Sequence, residues 1–224
     1  MGSVKKVLIL RPVAQRILAQ RATVFLLLIL LLPPTWPFVK GNLDRVERAE
    51  SSVTGEAAEL FKIYSLIRNA RRDPDDGWIW QIAKTVMDES RRHTMDPLLV
   101  LAVIGVESDF DGTAVSIKGA KGLMQLLPIA AQASAEERRS LLGDKDIPET
   151  PPLDNPVLNI KLGISYLDSL KKSFGDTRLA LAAYNHGPTW IRSRIADEQR
   201  VPLGYTTRVL STYQRYREDL PETN

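Results

Sequence analysis

The segment 98–106 is apolar at every position, and this limits what the chain can fold into. Asp96 and Pro97 come directly before it, which predicts a helix with Asp as its N-cap and Pro at its first position. A helix with so few polar residues has to be buried on most sides, so other elements must cover it. The sequence therefore predicts a globular core that contains this helix.

The rest of the chain after Gly77 is also helical in pattern, and no stretch shows the strict alternation of a half-exposed strand. Further helices are predicted at 78–93, at 122–134 with a bend near Pro128, from 156 to Gly175, at 179–184 after an Asp176 cap, and at 206–218. The predicted fold class is all-α, without an internal repeat.

Residues 1–40 hold six Lys and Arg and no acid, and an almost wholly aliphatic run at 22–32 lies among them. A basic start followed by a short apolar run is typical of a signal peptide or a membrane anchor. The run is shorter than the ~20 residues of a comfortable membrane helix, and no clear cleavage pattern follows it. We expect a periplasmic, exported protein that stays in the inner membrane if the segment is not cleaved.

Two further regions are predicted after this segment. Residues 41–76 are rich in Glu, Arg and Ala and predict a helical arm or linker, which ends in the turn-forming sequence DPDDG at 73–77. Residues 77–224 form the predicted globular domain.

The charge and the missing cysteines exclude several classes of function. The net charge is +3, but residues 41–224 contain 24 Lys and Arg against 27 Asp and Glu, a net charge of −3. Nucleic acid is therefore not an expected partner, since phosphate binding needs clustered positive charge. The absence of Cys excludes disulfides, thiolate metal sites, a cysteine nucleophile and a lipid on an N-terminal Cys.

Glu107 is the first candidate catalytic residue because it ends the apolar helix on the same face as Val103 and Ile104. A carboxyl group among aliphatic side chains is poorly solvated when charged, so its pKa should rise into the range of a general acid. The alternative is that Glu107 is only the first exposed residue after a core helix.

Two later segments carry side chains that suit a sugar. Gln125 follows two glycines in the sequence GAKGLMQ, and Tyr184 and Asn185 lie in AAYNHGP beside another glycine. Aromatic faces and amides bind carbohydrate well, although each segment alone is also compatible with an ordinary turn.

Several motifs follow one another along the chain: Glu107-Ser108, Gly122-Leu123-Met124-Gln125 with Pro128, Asn159 with Gly163, Tyr166 and Leu167, Ala183 to Pro188, and Tyr205-Thr206 with Tyr213. In this order they resemble the catalytic domain of the soluble-lytic-transglycosylase (SLT) type. The resemblance covers about residues 78–216 and implies a lysozyme-like helical domain that cleaves peptidoglycan.

By this resemblance, Glu107 is the only catalytic acid and base. It would protonate the oxygen between N-acetylmuramic acid and N-acetylglucosamine, then accept a proton from the muramoyl 6-hydroxyl as a 1,6-anhydro ring closes. Neither water nor a cofactor is implied. Most glycosidases use two carboxylates instead.

The resemblance also implies that Ser116, Gln125, Tyr184 and Asn185 bind sugar or orient Glu107, and Tyr184 is expected to hydrogen-bond Glu107. The expected partners are peptidoglycan glycan strands and, through an uncleaved N-terminus, the cytoplasmic membrane. An envelope or secretion assembly is a further expected partner, since a tethered enzyme suits local opening of the wall.

Three alternatives remain open at this point. A muramidase would use water, with Asp109 or Asp111 as its base. A wall-binding protein would keep the groove without catalysis. A metal enzyme would have only His93 and His186 as imidazole ligands, and they lack paired spacing. No metal is therefore predicted, and His93 is expected on a solvated helix end.

Overall fold

In a computed structural model, residues 36–70 and 75–219 are described, and these are helical with connecting loops. The helices are α1 (Trp36–Ala70), α2 (Asp76–Arg92), α3 (Pro97–Ser108), α4 (Pro128–Glu137), α5 (Pro156–Phe174), α6 (Thr177–His186), α7 (Pro188–Ala196) and α8 (Gly204–Glu218). The all-α prediction is confirmed. The predicted signal or anchor lies almost wholly outside the described residues. Within the described part, no helix is both long and apolar enough to cross a membrane.

The chain divides into two compact units, Met1–Gly55 and Glu56–Asn224. In the first unit, the described residues 36–55 are part of α1. In the second unit, the α1 residues Ile63 and Ile67 are fully buried in the main core. Residues 56–70 of the segment that was expected to be an arm therefore pack into the globular unit.

Helix α3 lies at the centre of the globular unit, as its apolar sequence predicts. Its residues 99–104 are all buried, and α2 and α8 pack against it. The approach of α8 is close at Gly105, where an added Cβ would lie 2.8 Å from the Tyr216 hydroxyl oxygen. Helix α3 ends at Ser108, and the next residue, Asp109, caps it in a left-handed conformation with φ of 51°.

Helix α5 organises the second half of the domain by packing against α2, α4 and α6. Asn155 caps its first turn by accepting a hydrogen bond from the Leu158 backbone N–H at 3.1 Å, and Gly175 ends it with φ of 67°. Both ends agree with the sequence prediction. Helix α6 then leads directly into α7, which the sequence reasoning missed, as it missed the short π-helical turn at Arg138–Leu142.

The predicted helix at 122–134 is wrong in its first half. Residues 122–127 form turns, and two isolated antiparallel bridges join Lys121 to Val115 and to Leu126. Gly122 and Gln125 have positive φ values of 76° and 46°, which a helix cannot contain. The helix begins only at Pro128.

Asn159 fixes this loop from α5. Its carbonyl oxygen accepts a hydrogen bond of 2.8 Å from the Met124 backbone N–H, and its amide nitrogen donates to the carbonyl oxygens of Lys121 and Leu153. The side chain is fully buried. The Asn159 amide group thus ties the loop between α3 and α4 to α5.

His93 does not lie on a solvated helix end, so that expectation is wrong. Its side chain is only 6% exposed, and Nδ1 lies 2.8 Å from an oxygen of Asp168 on α5. Next to it, the fully buried Arg138 donates to Glu89 and Asp144. This polar cluster joins α2 to α5 and to the chain after α4. Burying these charged groups is tolerated because each has a partner.

Candidate active site

A cleft of about 670 Å³ opens where the end of α3, the 113–127 loop and the end of α6 meet. All five residues that the sequence singled out line this cleft: Glu107, Ser116, Gln125, Tyr184 and Asn185. These residues are up to 78 positions apart in the sequence. The fold therefore brings the side chains of separate motifs into one cleft. Among the described residues, Glu107 is the only acidic side chain that lines the cleft.

Glu107 lies in the last turn of α3 with its carboxyl group partly buried. Its Oε1 accepts a hydrogen bond of 2.7 Å from the Tyr205 hydroxyl of α8. Burial raises the pKa of Glu107 above its ordinary value, against the smaller opposing effects of the Tyr205 hydrogen bond and the positive charge of Arg208. A carboxyl group of this kind can hold a proton closer to neutral pH than an exposed glutamate.

The predicted hydrogen bond from Tyr184 to Glu107 is wrong. The Tyr184 hydroxyl instead donates to the carbonyl oxygen of Met124 at 2.7 Å, and its ring packs 5.5 Å from that of Tyr166. Burial and the nearby Glu107 carboxylate raise the pKa of Tyr184 well above its ordinary value. Tyr184 therefore stays neutral and fixes the wall of the cleft, while Tyr205 holds the carboxyl group.

Ser116 and Gln125 make hydrogen bonds within the 113–127 loop. The Ser116 hydroxyl oxygen accepts from the Ala120 backbone N–H at 3.0 Å. The Gln125 amide nitrogen donates to the carbonyl oxygens of Ala114 and Gly122 at 2.9 and 3.0 Å. These bonds keep both side chains in place on the cleft wall.

The other end of the cleft is formed where α6 stops. Asn185 is exposed there, and His186 and Gly187 follow it along the cleft. Gly187 has φ of 90°, a conformation that suits glycine and turns the chain from α6 into α7. Burial and the charge of Lys118 lower the pKa of His186, so its imidazole is mainly neutral at neutral pH.

Asp109 and Asp111 do not line the cleft. The Asp109 backbone caps α3 through its N–H bond to Gly105. The Asp111 carboxylate accepts hydrogen bonds from the backbone N–H and the hydroxyl of Thr113, at 2.8 and 2.7 Å. Both residues thus serve the turn after α3.

No group of His, Asp and Glu suited to a metal ion occurs in residues 36–70 and 75–219. His93 and His186, the two imidazoles considered above, lie in separate places: His93 in the buried polar cluster and His186 on the cleft.

Ser108 and Tyr205 make hydrogen bonds that position the site, and the sequence alone does not identify these bonds. The Ser108 hydroxyl donates to the Leu123 carbonyl oxygen at 2.8 Å and so joins the end of α3 to the 113–127 loop. Both residues belong to the sequence motifs described above. Only the packing of α8 against α3 assigns Tyr205 to Glu107, so no local signal could have found this pair.

The chain is similar to known proteins in sequence and in fold. The domain described as Transglycosylase SLT domain matches residues 84–202, more than half of the chain. A membrane-bound lytic murein transglycosylase C of Mannheimia succiniciproducens is 32% identical over 131 residues, which cover 58% of this chain and 34% of that protein. An endo-type membrane-bound lytic murein transglycosylase A of Klebsiella pneumoniae is 38% identical over 77 residues, 34% of this chain and 36% of that protein.

Among solved structures, an inactive Glu-to-Gln mutant of the lytic transglycosylase Slt from Pseudomonas aeruginosa superposes with a TM-score of 0.51 at 29% identity. The match covers 63% of this chain and 24% of that one. The chain thus spans about a third of the length of the curated relatives named here. The family resemblance inferred from the motifs is confirmed, and the chain belongs to the Transglycosylase SLT domain family.

Proposed function

We propose that this protein is a peptidoglycan lytic transglycosylase, which cleaves the β-1,4 bond between N-acetylmuramic acid and N-acetylglucosamine without water. Family membership and the names of the relatives support the activity. The observation that carries the single-carboxylate mechanism is that, of the described residues, Glu107 alone supplies a carboxyl group to the cleft. A hydrolase of the usual kind would need a second carboxylate as base or nucleophile.

In the first step, Glu107 acts as the general acid. Its raised pKa favours the protonated form, and Tyr205 occupies Oε1. No hydrogen bond to Oε2 is found from any described residue, so Oε2 is the oxygen that presents the proton to substrate. The proton passes to the bridging oxygen as its bond to the anomeric carbon of muramic acid breaks.

In the second step, the same carboxylate acts as the base. It accepts the proton of the muramoyl 6-hydroxyl while that oxygen bonds to the anomeric carbon and closes the 1,6-anhydro ring. Glu107 is then protonated again, so the proton count balances and no water is consumed. An attached hydroxyl has a high effective concentration, which removes the need for an enzymic nucleophile.

The sugar contacts are assigned to the four other predicted residues. Tyr184 and Asn185 line the α6 side of the cleft, while Ser116 and Gln125 line the loop side. The Gln125 amide nitrogen donates both of its hydrogen bonds to carbonyl oxygens of the loop. Its side-chain carbonyl oxygen is therefore the atom that accepts a hydrogen bond from a sugar hydroxyl or acetamido N–H. A neighbouring hollow of about 380 Å³ shares Val115 with the cleft and gives room for further sugar units.

The test is mass spectrometry of the muropeptides that the full-length protein releases from purified peptidoglycan. Products ending in 1,6-anhydromuramic acid are expected from the wild type and from Asp109→Asn and Asp111→Asn, and none from Glu107→Gln. Reducing-end products that disappear in Asp111→Asn would establish a hydrolase instead. Wall binding without any product from the wild type would favour the catalytically idle protein.

Export and membrane attachment through residues 1–40 are part of the same proposal. Two of the relatives are named as membrane-bound proteins. This sequence has no cysteine for a lipid, so its basic and apolar N-terminal segment is the candidate anchor. Fractionation should recover the protein with the inner membrane, and crosslinking in cells should recover an envelope assembly. Recovery only as a free periplasmic monomer would contradict both.

A further inference from the structure

A third concave surface lies beside the Glu107 cleft, and the proposed reaction does not use it. It has a volume of about 460 Å³ and is lined by Trp190, Arg194, Arg200, Pro202, Leu203 and Gly204. We call this surface the arginine hollow. It combines two basic side chains with an aromatic ring, and none of its lining residues is acidic.

The two arginines of the hollow are not neutralised by the protein. Neither forms an ion pair with any acid that the structure describes, whereas Arg91 and Arg138 elsewhere each pair with two carboxylates. The Arg194 Nε donates to the Arg200 carbonyl oxygen at 2.9 Å, and its guanidinium lies 4.8 Å from the centre of the Trp190 ring. The guanidinium is therefore held in place while its terminal N–H groups can still bind an outside acceptor.

Two direct connections join the arginine hollow to the cleft. His186 lines the cleft, and its ring lies 5.0 Å from that of Trp190, which lines the hollow. On the other side, Leu203 and Gly204 of the hollow come immediately before Tyr205, whose hydroxyl holds Glu107. The arginine hollow therefore adjoins the His186 end of the cleft, which makes a substituent of a glycan strand in the cleft its candidate ligand.

The chemistry of the hollow selects one kind of substituent. The muramic acid units of peptidoglycan carry short stem peptides with free carboxylates, and the planar guanidinium of Arg pairs with a carboxylate through two parallel hydrogen bonds. The Trp190 side chain contacts Arg194 and His186 and is still 41% exposed, so its exposed part can contact the aliphatic parts of a peptide.

Resting on the proposed function, we propose that the arginine hollow binds a stem-peptide carboxylate of the strand in the cleft. The protein would thereby prefer glycan strands that carry stem peptides over strands without them.

The test is a binding assay with the full-length Glu107→Gln protein, which should hold strands without cleaving them. One ligand is soluble peptidoglycan strands with intact stem peptides, and the second is the same strands after their carboxylates are converted to amides. Replacing both arginines (Arg194→Gln with Arg200→Gln) should weaken binding of the intact strands about tenfold, as expected for a lost hydrogen bond to a charged group. Binding of the amidated strands should not change.

A matched control is available on the same helix. Arg192 lies over the Phe174 ring, donates to the Ser173 hydroxyl and does not line the hollow. Arg192→Gln should therefore bind both ligands like the parent protein. Arg200→Gln alone should weaken binding of the intact strands in the same direction, and its folding is secure because the exposed Arg200 side chain makes no described hydrogen bond.

Equal effects on the two ligands, or no effect on either, would overturn the inference. Strands stripped of stem peptides by an amidase keep a lactyl carboxylate, so they form a third ligand. If they respond to the arginine variants as strongly as intact strands do, the lactyl group rather than the peptide is the ligand, which also overturns it. Failure of the proposed function would be recognised separately, as a wild-type protein that releases no anhydro product.

Discussion

The Tyr205 hydroxyl donates a hydrogen bond of 2.7 Å to Oε1 of Glu107, although 98 positions separate the two residues. Glu107 lies in the last turn of α3 and Tyr205 in the first turn of α8, and the two helices pack against each other through the main core. Tyr205 is itself only 4% exposed. The position of the candidate acid therefore depends on the packing of two helices rather than on a mobile loop.

Replacing Tyr205 with Phe tests this relationship. The hydrogen bond stabilises the carboxylate form of Glu107, so its loss should raise the pKa of Glu107 further. A general acid works while it is protonated, and the alkaline limb of the pH–rate profile should therefore move to higher pH. The loss of orientation should also lower kcat by about ten- to a hundredfold. Release of muropeptides measured across pH gives both quantities.

Tyr213→Phe is the control for this experiment. It removes a hydroxyl on the same helix that donates to Asp96 at 2.6 Å, away from the cleft. Its pH profile should match the wild type. A Tyr205→Phe profile that shifts to lower pH, or that equals the Tyr213→Phe profile, would refute the assignment of Tyr205.

Glu107→Gln should be inactive and yet more stable than the wild type at neutral pH. Burial raises the folded-state pKa of Glu107 above its value in the unfolded chain, which means that folding disfavours the ionised form. The wild type should therefore lose stability relative to the variant as pH rises through the window between the unfolded and the folded pKa. Below that window, where both states are protonated, the penalty is absent.

Thermal unfolding of both proteins at about pH 4 and about pH 7 checks this prediction. The lower pH is close to the pKa of an ordinary glutamate, and the higher pH is well above it. The difference in Tm between variant and wild type should be larger at the higher pH. A variant that is equally less stable at both values would show that Glu107 has a structural role instead.

The starts of α3, α5 and α6 could be predicted from the sequence because each depends on residues within three positions of one another. Asp96, Asn155 and Asp176 each accept a backbone N–H two or three residues ahead, at 2.8, 3.1 and 2.9 Å. The position of Glu107 at the end of a buried apolar helix was likewise a local signal, and it correctly indicated a raised pKa.

The errors arise where distant contacts decide the structure. Residues 122–127 were expected to be helical, but Asn159, 35 positions after Met124, pairs with that backbone and holds it in turns. Tyr184 and Tyr205 are both tyrosines beside the cleft region, and the sequence alone gives no reason to choose which one reaches Glu107. The arginines next to His93 predict a solvent-exposed side chain, whereas in the structure its ring lies 2.8 Å from the Asp168 carboxylate on α5 and is buried.

Asn159→Ala should strongly destabilise the domain and the loop that carries Gln125. The substitution leaves the Met124 N–H and the Leu153 carbonyl oxygen without the buried partner that Asn159 supplies, and it removes one of the two hydrogen bonds that the Lys121 carbonyl oxygen accepts. Buried groups left unsatisfied cost about 1–3 kcal/mol each, so a total loss of about 2 kcal/mol or more is expected for the two groups. Denaturant unfolding measures this loss.

Asn155→Ala is the matched comparison, since it removes the same side chain from the exposed cap of the same helix. Its cost should be about 1 kcal/mol, with activity retained. Equal costs for the two variants would mean that Asn159 is not the tie between α5 and the loop.

Gly122 and Gly143 provide a final test, because both adopt left-handed backbone conformations in different surroundings. Their φ values are 76° and 69°, so replacement by Ala costs about 1–2 kcal/mol at either site for backbone strain alone. At Gly143 nothing lies within 4 Å of an added Cβ, whereas at Gly122 the Leu153 carbonyl oxygen would be only 2.6 Å away. Gly143→Ala should therefore lose only that strain energy and keep full activity. Gly122→Ala should lose more stability than Gly143→Ala. Because the added Cβ displaces the loop that carries Gln125, it should also lower the rate of muropeptide release. Equal stabilities and rates for the two variants would show that the close packing of Gly122 against Leu153 does not determine the position of the cleft loop.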